Sequence, residues 1–253
     1  MNKLKIREGS EDGSAMRRQD APFPPPGSMG GEGGAMIFQD RREAGRALAR
    51  ALRQEPDLGD AIVLALPGGG VPVAFEVASE LRLPLDVFVV RKLGVPAQEE
   101  LALGAVASGG VVVLNESVVR AFAIPQRDID ALVARERLEI ERRESLYRGG
   151  RPPLSIAGHP VIVVDDGLAT GSTMTAAIRA LRPQVPITVV AVPVGSSRGC
   201  EDLRGEADRV ICLASPEPFH AVGEFYRQFE QVPDAEVARL LAQAGSGVDS
   251  HEP

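Results

Sequence analysis

Short, uniformly apolar segments rich in β-branched residues recur along this chain and alternate with helix-like patterns. The apolar segments cover residues 61–66, 85–91, 160–166, 187–192 and 209–214. They lack the polar–apolar alternation of a sheet with one wet face, which predicts strands buried on both faces. Helical patterns follow several of them, at residues 71–81, 172–181 and 197–204. This rhythm predicts an α/β fold with a mainly parallel twisted sheet flanked by helices on both faces.

Charge and hydropathy exclude several classes of protein. The 253 residues are 44% hydrophobic and carry a net charge of -7, so no overall positive field attracts nucleic acid or anionic lipid. The apolar runs stop far short of the roughly 18 to 20 residues that cross a bilayer, which predicts no membrane span. Cys200 and Cys212 lie in no metal-like cluster, and the N-terminus lacks an apolar signal-peptide core. We therefore expect a cytoplasmic protein whose thiols fill the core or lie near the surface.

The two ends of the chain differ in composition from the middle. Residues 1–35 are rich in Gly and Pro and poor in apolar residues, which predicts a disordered tail. Residues 244–253 are Gly/Ser-rich and are expected to fray. The folded domain is therefore expected at 36–243, starting with a helix near 40–53 that Asp40 would cap. A long charged helix is expected at 126–148, presenting either a solvated face or a partner or dimer surface, so a homo-oligomer stays open.

The segment VIVVDDGLATGSTMTAAIRAL, residues 161–181, carries the chemistry. Its apolar strand ends in Asp165 and Asp166, and a helix begins at Ser172 or Thr173 after a short glycine-containing loop. Helix N-termini bind anions through backbone N–H groups and the helix dipole, so this loop is predicted to hold a phosphate. The predicted phosphate-binding residues are Gly167, Leu168, Ala169, Thr170, Gly171, Ser172 and Thr173.

The two carboxylates need a partner other than that phosphate, because like charges repel. Vicinal sugar hydroxyls or a divalent cation would serve. A phosphate at one end and a diol at the other describe a ribose 5-phosphate. No Walker P-loop pattern occurs, and no G-x-G-x-x-G follows a strand to indicate a dinucleotide fold.

Residues 161–173, VIVVDDGLATGST, resemble the phosphoribosyl-pyrophosphate (PRPP) signature of type I phosphoribosyltransferases. Residues 64–78, 88–110 and 212–229 are similar to a group of bacterial phosphoribosyltransferases of unassigned acceptor, so the resemblance covers about 36–243. It implies the type I fold with a small hood or flap region. It also implies Mg²⁺ held mainly through PRPP, with Asp165 and Asp166 as candidate ligands. The implied reaction transfers the phosphoribosyl group of PRPP to a nucleobase-like nitrogen acceptor and releases pyrophosphate.

The loop after the first strand is a candidate pyrophosphate site. It consists of Pro67, Gly68, Gly69 and Gly70, whose successive glycines expose backbone donors and tolerate unusual dihedral angles. In the family, this loop often contains a non-proline cis peptide. Relatives often carry Arg where this chain has Gly68, so one pyrophosphate contact is expected to be missing here.

Further candidates follow the second strand and the last one. Arg91 and Lys92 could neutralise pyrophosphate charge or be ordinary strand-end charges, and residues 94–104, with Glu99 and Glu100, resemble a mobile flap. By resemblance, residues 215–229 contribute to the acceptor side. The candidates there are Phe219, His220 and Tyr226, although packing of a C-terminal helix explains these aromatic residues nearly as well.

Two readings of the function remain open at this point, besides a third in which the chain is a subunit whose partner completes the acceptor site. In a transferase, Asp165 and Asp166 would fix the ribose hydroxyls and stabilise positive charge on the ring. Ala169 stands where 6-oxopurine enzymes carry Asp, which disfavours hypoxanthine and guanine as acceptors. The alternative is a catalytically weak or inactive PRPP-binding regulatory protein. Residues 1–35 are too short and too poor in apolar residues for a helix-turn-helix domain.

Overall fold

A computed structural model describes residues 37–96 and 98–248. The expected disordered tail and residues 249–253 lie outside the described residues. The strands are β1 (Ile62–Ala65), β2 (Leu85–Val87), β3 (Val90–Val95), β4 (Gln98–Ala107), β5 (Val111–Leu114), β6 (Val161–Val164), β7 (Thr188–Val194) and β8 (Arg209–Ala214). The α-helices are α1 (Arg41–Leu52), α2 (Gly70–Leu81), α3 (Glu116–Ala121), α4 (Gln126–Arg148), α5 (Ser172–Leu181), α6 (Ser197–Arg204) and α7 (Asp234–Val248).

The main sheet has five parallel strands in the order β2-β1-β6-β7-β8. Successive residues of its strands point into different cores, as the pleat requires. Val63 and Ile162 pack with α1, α2 and α7 on one face, whereas Leu64 and Val163 pack with α5 and α6 on the other. Both faces are therefore covered, which confirms the predicted α/β fold with a mainly parallel sheet.

A second, antiparallel sheet in the order β3-β4-β5 lies beside the first. The single strand predicted at 85–91 is in fact two strands in different sheets. Phe88 N donates to Ala65 O of the main sheet, whereas Val89 N bonds to the hydroxyl of Ser108, which follows β4. This change of sheet cannot be recognised in the apolar run, because Phe88 and Val89, which lie before and after it, are both buried. Of the expected flap at 94–104, the described residues 94–96 and 98–104 lie at the end of the β3–β4 hairpin.

The five helices with predicted bounds match them closely, whereas no bounds were predicted for α3 and α7. Asp40 caps α1 by accepting a hydrogen bond from Glu43 N at 2.8 Å, and α4 occupies residues 126–148 as predicted. A buried ion pair between Arg148 and Asp86, at 2.8 Å, fixes the end of α4 to β2. α7 continues to Val248 and so includes the first five residues of the segment expected to fray. Of the helices described, none combines the length and apolar character that spanning a membrane requires.

Candidate active site

The loops that follow β1 and β6 meet at the carboxyl edge of the main sheet. These strands are parallel neighbours, with Ala65 beside Val164, and Leu66 N donates to Val164 O at 2.9 Å. The glycine loop, residues 67–70, therefore lies against the start of the signature loop, residues 165–173. This edge is where ligands bind in open parallel sheets.

Gly69 shows how tightly the two loops fit. A Cβ atom on Gly69 would lie 1.8 Å from Asp166 Oδ2 and 3.0 Å from Arg41 Nε, so any side chain would displace the carboxylate. Gly68 has more room, because its Cβ would lie 3.3 Å from the nearest atom, Val232 O. The Pro67–Gly68 peptide bond is cis, as the resemblance led us to expect.

The two carboxylates of the signature lie in unequal surroundings. Asp165 Oδ1 accepts a hydrogen bond from Asp166 N at 2.8 Å, whereas Asp166 Oδ2 accepts one from Arg41 Nε at 2.8 Å. Burial raises the pKa of Asp165 well above its usual value, and the negative charge of Asp166 raises it further. Burial also raises the pKa of Asp166, while the hydrogen bond from Arg41 opposes that rise. Hydroxyl donors or a cation would compensate these carboxylates for lost solvation.

The acidic pair fits a magnesium ion that is shared with a ligand. Within the described ranges, 37–96 and 98–248, no group of three or more acidic, His or Cys side chains could form a metal site of protein ligands alone. Mg²⁺ commonly takes one or two carboxylates and completes its octahedral shell with water and substrate phosphate oxygens. Asp165 and Asp166 are a suitable donor set for that mode of binding.

The rest of the signature loop is fixed on one side and open on the other. Leu168 N donates to Val194 O at 2.9 Å, and the hydroxyl of Ser196 donates to Ala169 O at 2.6 Å. Gly171 precedes α5 with a positive φ of 71°. The exposed polar side chains on the open side are those of Thr170, Ser172 and Thr173. The loop thus presents hydroxyl groups beside the N-terminus of α5, which suits an anion.

Lys92 and Arg91 point to opposite faces of β3. Even-numbered Val90 and Lys92 face α5, and Lys92 lines a cavity of about 510 Å³ together with Thr170, Ser172 and Thr173. Arg91 faces α4, where its Nε donates to the buried Glu136 at 2.9 Å. The structure therefore brings Lys92, but not Arg91, to the signature loop. Arg91 instead links the small sheet to α4.

The aromatic residues of 215–229 divide into two groups. Tyr226 is buried between Phe38 and Phe229, with ring centroids 5.7 and 5.0 Å away, and its hydroxyl donates to Asp166 O. Its ring faces are therefore covered, and its contact is with the signature backbone. Phe219 is half-buried and stacks on Phe225 at 5.2 Å, and His220 is exposed. Of the three acceptor candidates, Tyr226 is buried, whereas Phe219 and His220 are more accessible.

Arg41 is the site residue that sequence reasoning missed. It lies in the first turn of α1, 125 residues before its partner Asp166. The local sequence, with two adjacent Arg after an N-cap Asp, is typical of an exposed charged helix. No local pattern could have identified its contact with the signature.

Comparisons with known proteins show which chains this one is similar to. Residues 36–229 match the family model described as phosphoribosyl transferase domain. The chain is 46% identical over 209 residues to "Putative phosphoribosyl transferase Rv0571c" of Mycobacterium tuberculosis H37Rv, a match that covers 82% of this chain and 47% of that protein. The chain thus spans about half the length of that relative.

A solved structure shows the same fold. The crystal structure of TT1426 from Thermus thermophilus is 42% identical to this chain, with a TM-score of 0.75, and the match covers 82% of this chain and 99% of that one. The family match extends over the main sheet, the glycine loop, the signature loop and the aromatic segment. This chain belongs to the phosphoribosyltransferase family and has its type I fold.

Proposed function

We propose that the chain is a PRPP-dependent phosphoribosyltransferase that uses Mg²⁺ and transfers the 5-phosphoribosyl group to a nucleobase or similar nitrogen acceptor. The contact between Gly69 and the Asp166 carboxylate carries this proposal. It joins the glycine loop to the acidic pair in one continuous surface, which ends at the N-terminus of α5. A single ligand with two phosphate-bearing ends and a diol between them matches that surface.

The proposed pose follows from the order of the groups along the sheet edge. The 5-phosphate binds the N-terminus of α5 and the hydroxyls of Thr170, Ser172 and Thr173. The ribose hydroxyls donate to Asp165 and Asp166, which compensates these carboxylates for their burial. Pyrophosphate binds the backbone of the glycine loop.

The chemistry is a displacement at the anomeric carbon. A bond from the acceptor nitrogen forms as the bond to the pyrophosphate oxygen breaks, and the ring gains positive charge in the transition state. Asp165 and Asp166 stabilise that charge at close range, and Lys92 contributes positive potential beside the phosphate loop. Bound magnesium would neutralise pyrophosphate charge. The chain's own contribution is to orient the substrate and to supply fixed charges.

The acceptor end is the least specified part of the site. Ala169 is exposed and supplies no side-chain hydrogen bond, which is the basis for disfavouring 6-oxopurines. Phe219 and His220 offer a ring surface and an imidazole near the start of residues 215–229. A small planar nitrogen base would suit them.

Screening nucleobases and amines for PRPP-dependent pyrophosphate release tests the proposal. At least one acceptor should give stoichiometric release, and the Asp165→Asn/Asp166→Asn double variant should give none. Tight PRPP binding without release across the whole panel would instead favour the regulatory protein. Absence of PRPP binding would reject both.

A further inference from the structure

Arg41 connects three parts of the site that are far apart in sequence. Its Nε donates to Asp166 Oδ2 at 2.8 Å, and its Nη1 donates to Glu230 O at 2.8 Å. Its guanidinium lies over the ring of Phe229, with Cζ 3.9 Å from the centroid. A Cβ on Gly69 would come within 3.0 Å of Nε. One side chain of α1 thus contacts the signature and the aromatic segment, and lies close behind the glycine loop.

These contacts leave the guanidinium little freedom. Its side chain is 11% exposed and that of Asp166 is 15% exposed, so the ion pair is largely shielded from water. Two directional hydrogen bonds and a stacked ring define the plane of the group. The carboxylate of Asp166 is consequently held at Oδ2, which lies against Gly69 in the space that a side chain there would fill.

We propose that Arg41 is a positioning residue for PRPP binding. By engaging Oδ2, it directs the carboxylate of Asp166 so that Oδ1 receives the ribose hydroxyl or the ion bound with PRPP. This inference rests on the proposed function, because it assigns how the acidic pair is held for that ligand. Arg41 itself acts through Asp166 and is not assigned a contact with the substrate.

The neighbouring Arg42 provides a matched control. It lies one position along the same helix, and its side chain is 41% exposed. It pairs with Glu76 and Glu236, outside the candidate site. Loss of its charge alters the net charge of α1 as much as loss of Arg41 does, but leaves Asp166 in place.

A double-mutant cycle measured by calorimetry with PRPP and Mg²⁺ tests the proposal. Arg41→Gln should weaken PRPP binding about tenfold or more, within the range of coupling between contacting residues. Adding Arg41→Gln to Asp166→Asn should cause no further loss, because Arg41 acts through that carboxylate. Arg42→Gln should bind PRPP like the wild type. Inorganic phosphate, which needs the signature loop alone, should bind Arg41→Gln as it binds the wild type.

Arg41→Lys keeps the proposal testable if Arg41→Gln folds poorly. Lys retains the charge but lacks the planar guanidinium group, which forms two hydrogen bonds and packs on a ring at the same time. We therefore expect an intermediate loss of PRPP affinity. Unchanged PRPP affinity in Arg41→Lys and Arg41→Gln would overturn the proposal. Additive losses in the cycle, or an equal loss of phosphate affinity, would also overturn it. Failure of the wild type to bind PRPP would reject the proposed function itself.

Discussion

The site has an acidic half, formed by Gly69, Asp166 and Arg41, and a phosphate half, formed by residues 167–173. Both halves lie on one sheet edge, but they are built differently. In the acidic half, Gly69, Asp166 and Arg41 fill the available space, so that a single added Cβ would overlap a carboxylate oxygen. In the phosphate half, a Cβ on Gly171 would meet only ordinary contacts, the closest at 3.6 Å. Position 171 requires glycine because its φ is positive, not because a side chain would lack room.

The difference shows that two kinds of constraint produce one binding surface. At Gly171, the phosphate half depends on local backbone conformation, which a short sequence motif specifies. The acidic half depends on tertiary contacts between α1, the glycine loop and the signature. Substitutions in the two halves should therefore impair ligand binding in distinguishable ways.

The largest effect is expected at Gly69. Gly69→Ala should weaken the Mg²⁺-dependent affinity for PRPP about a hundredfold or more, since small displacements of positioned groups have effects of that size. Gly68→Ala, next to it, needs a shift of only a few tenths of an ångström at Val232 and should retain most of the affinity. Calorimetry with PRPP on both variants measures the contrast. Equal losses at the two positions would contradict the account of Gly69.

A smaller effect is expected at Gly171. Gly171→Ala places a side chain at a φ of 71°, which costs about 1–2 kcal/mol and should weaken both ribose 5-phosphate and PRPP roughly tenfold. Gly109→Ala imposes similar strain at a φ of 74°, in open space outside the site. It should lower Tm but leave both affinities intact. Selective loss of PRPP alone in Gly171→Ala would argue against a 5-phosphate site in this loop.

The two carboxylates should differ in their effect on stability. Asp165 is partly buried and its pKa is raised, so Asp165→Asn removes an unfavourable charge and should raise the Tm of the ligand-free protein, roughly 2–4 °C per kcal/mol gained. Burial raises the pKa of Asp166 as well, but Asp166→Asn also leaves the shielded guanidinium of Arg41 without its charged partner, and we expect that loss to dominate and to lower Tm. Thermal unfolding at pH 7 measures both. Shifts of the same sign would contradict the asymmetry between the two residues.

The smallest expected effect separates Lys92 from Arg91. Lys92→Met should reduce PRPP affinity severalfold, because one cation of the cavity beside the phosphate loop is lost. Arg91→Met should leave the affinity unchanged and lower Tm, since it leaves Glu136 buried without that partner. PRPP titrations and thermal unfolding of both variants distinguish the roles. A larger loss of affinity in Arg91→Met than in Lys92→Met would indicate that Arg91 binds pyrophosphate.

How far the sequence predicts this fold depends on whether the signals are local. α4, α5 and α6 follow their predicted bounds, since turns and caps mark their ends. The predicted strand at 85–91 joins β2 to β3, because continuous burial from 85 to 89 conceals the change of sheet. β4 and β5 have no counterpart among the predicted strands.

The same distinction applies to the site. The signature motif identifies Asp165, Asp166 and the phosphate loop from neighbouring residues alone. The roles of Arg41, Gly69 and Tyr226 depend on contacts across 60 to 125 residues, which no local pattern encodes. Tyr226 illustrates the consequence, because an aromatic residue expected beside the acceptor instead supports the backbone of Asp166.

We propose above that the acidic pair at the carboxyl edge of β6 binds PRPP. Calorimetric titration of PRPP in Mg²⁺ into the wild type and into Asp165→Asn/Asp166→Asn tests it directly, with circular dichroism to verify folding. We expect saturable, magnesium-dependent binding to the wild type and none to the natively folded double variant. Unchanged affinity in the double variant would contradict it.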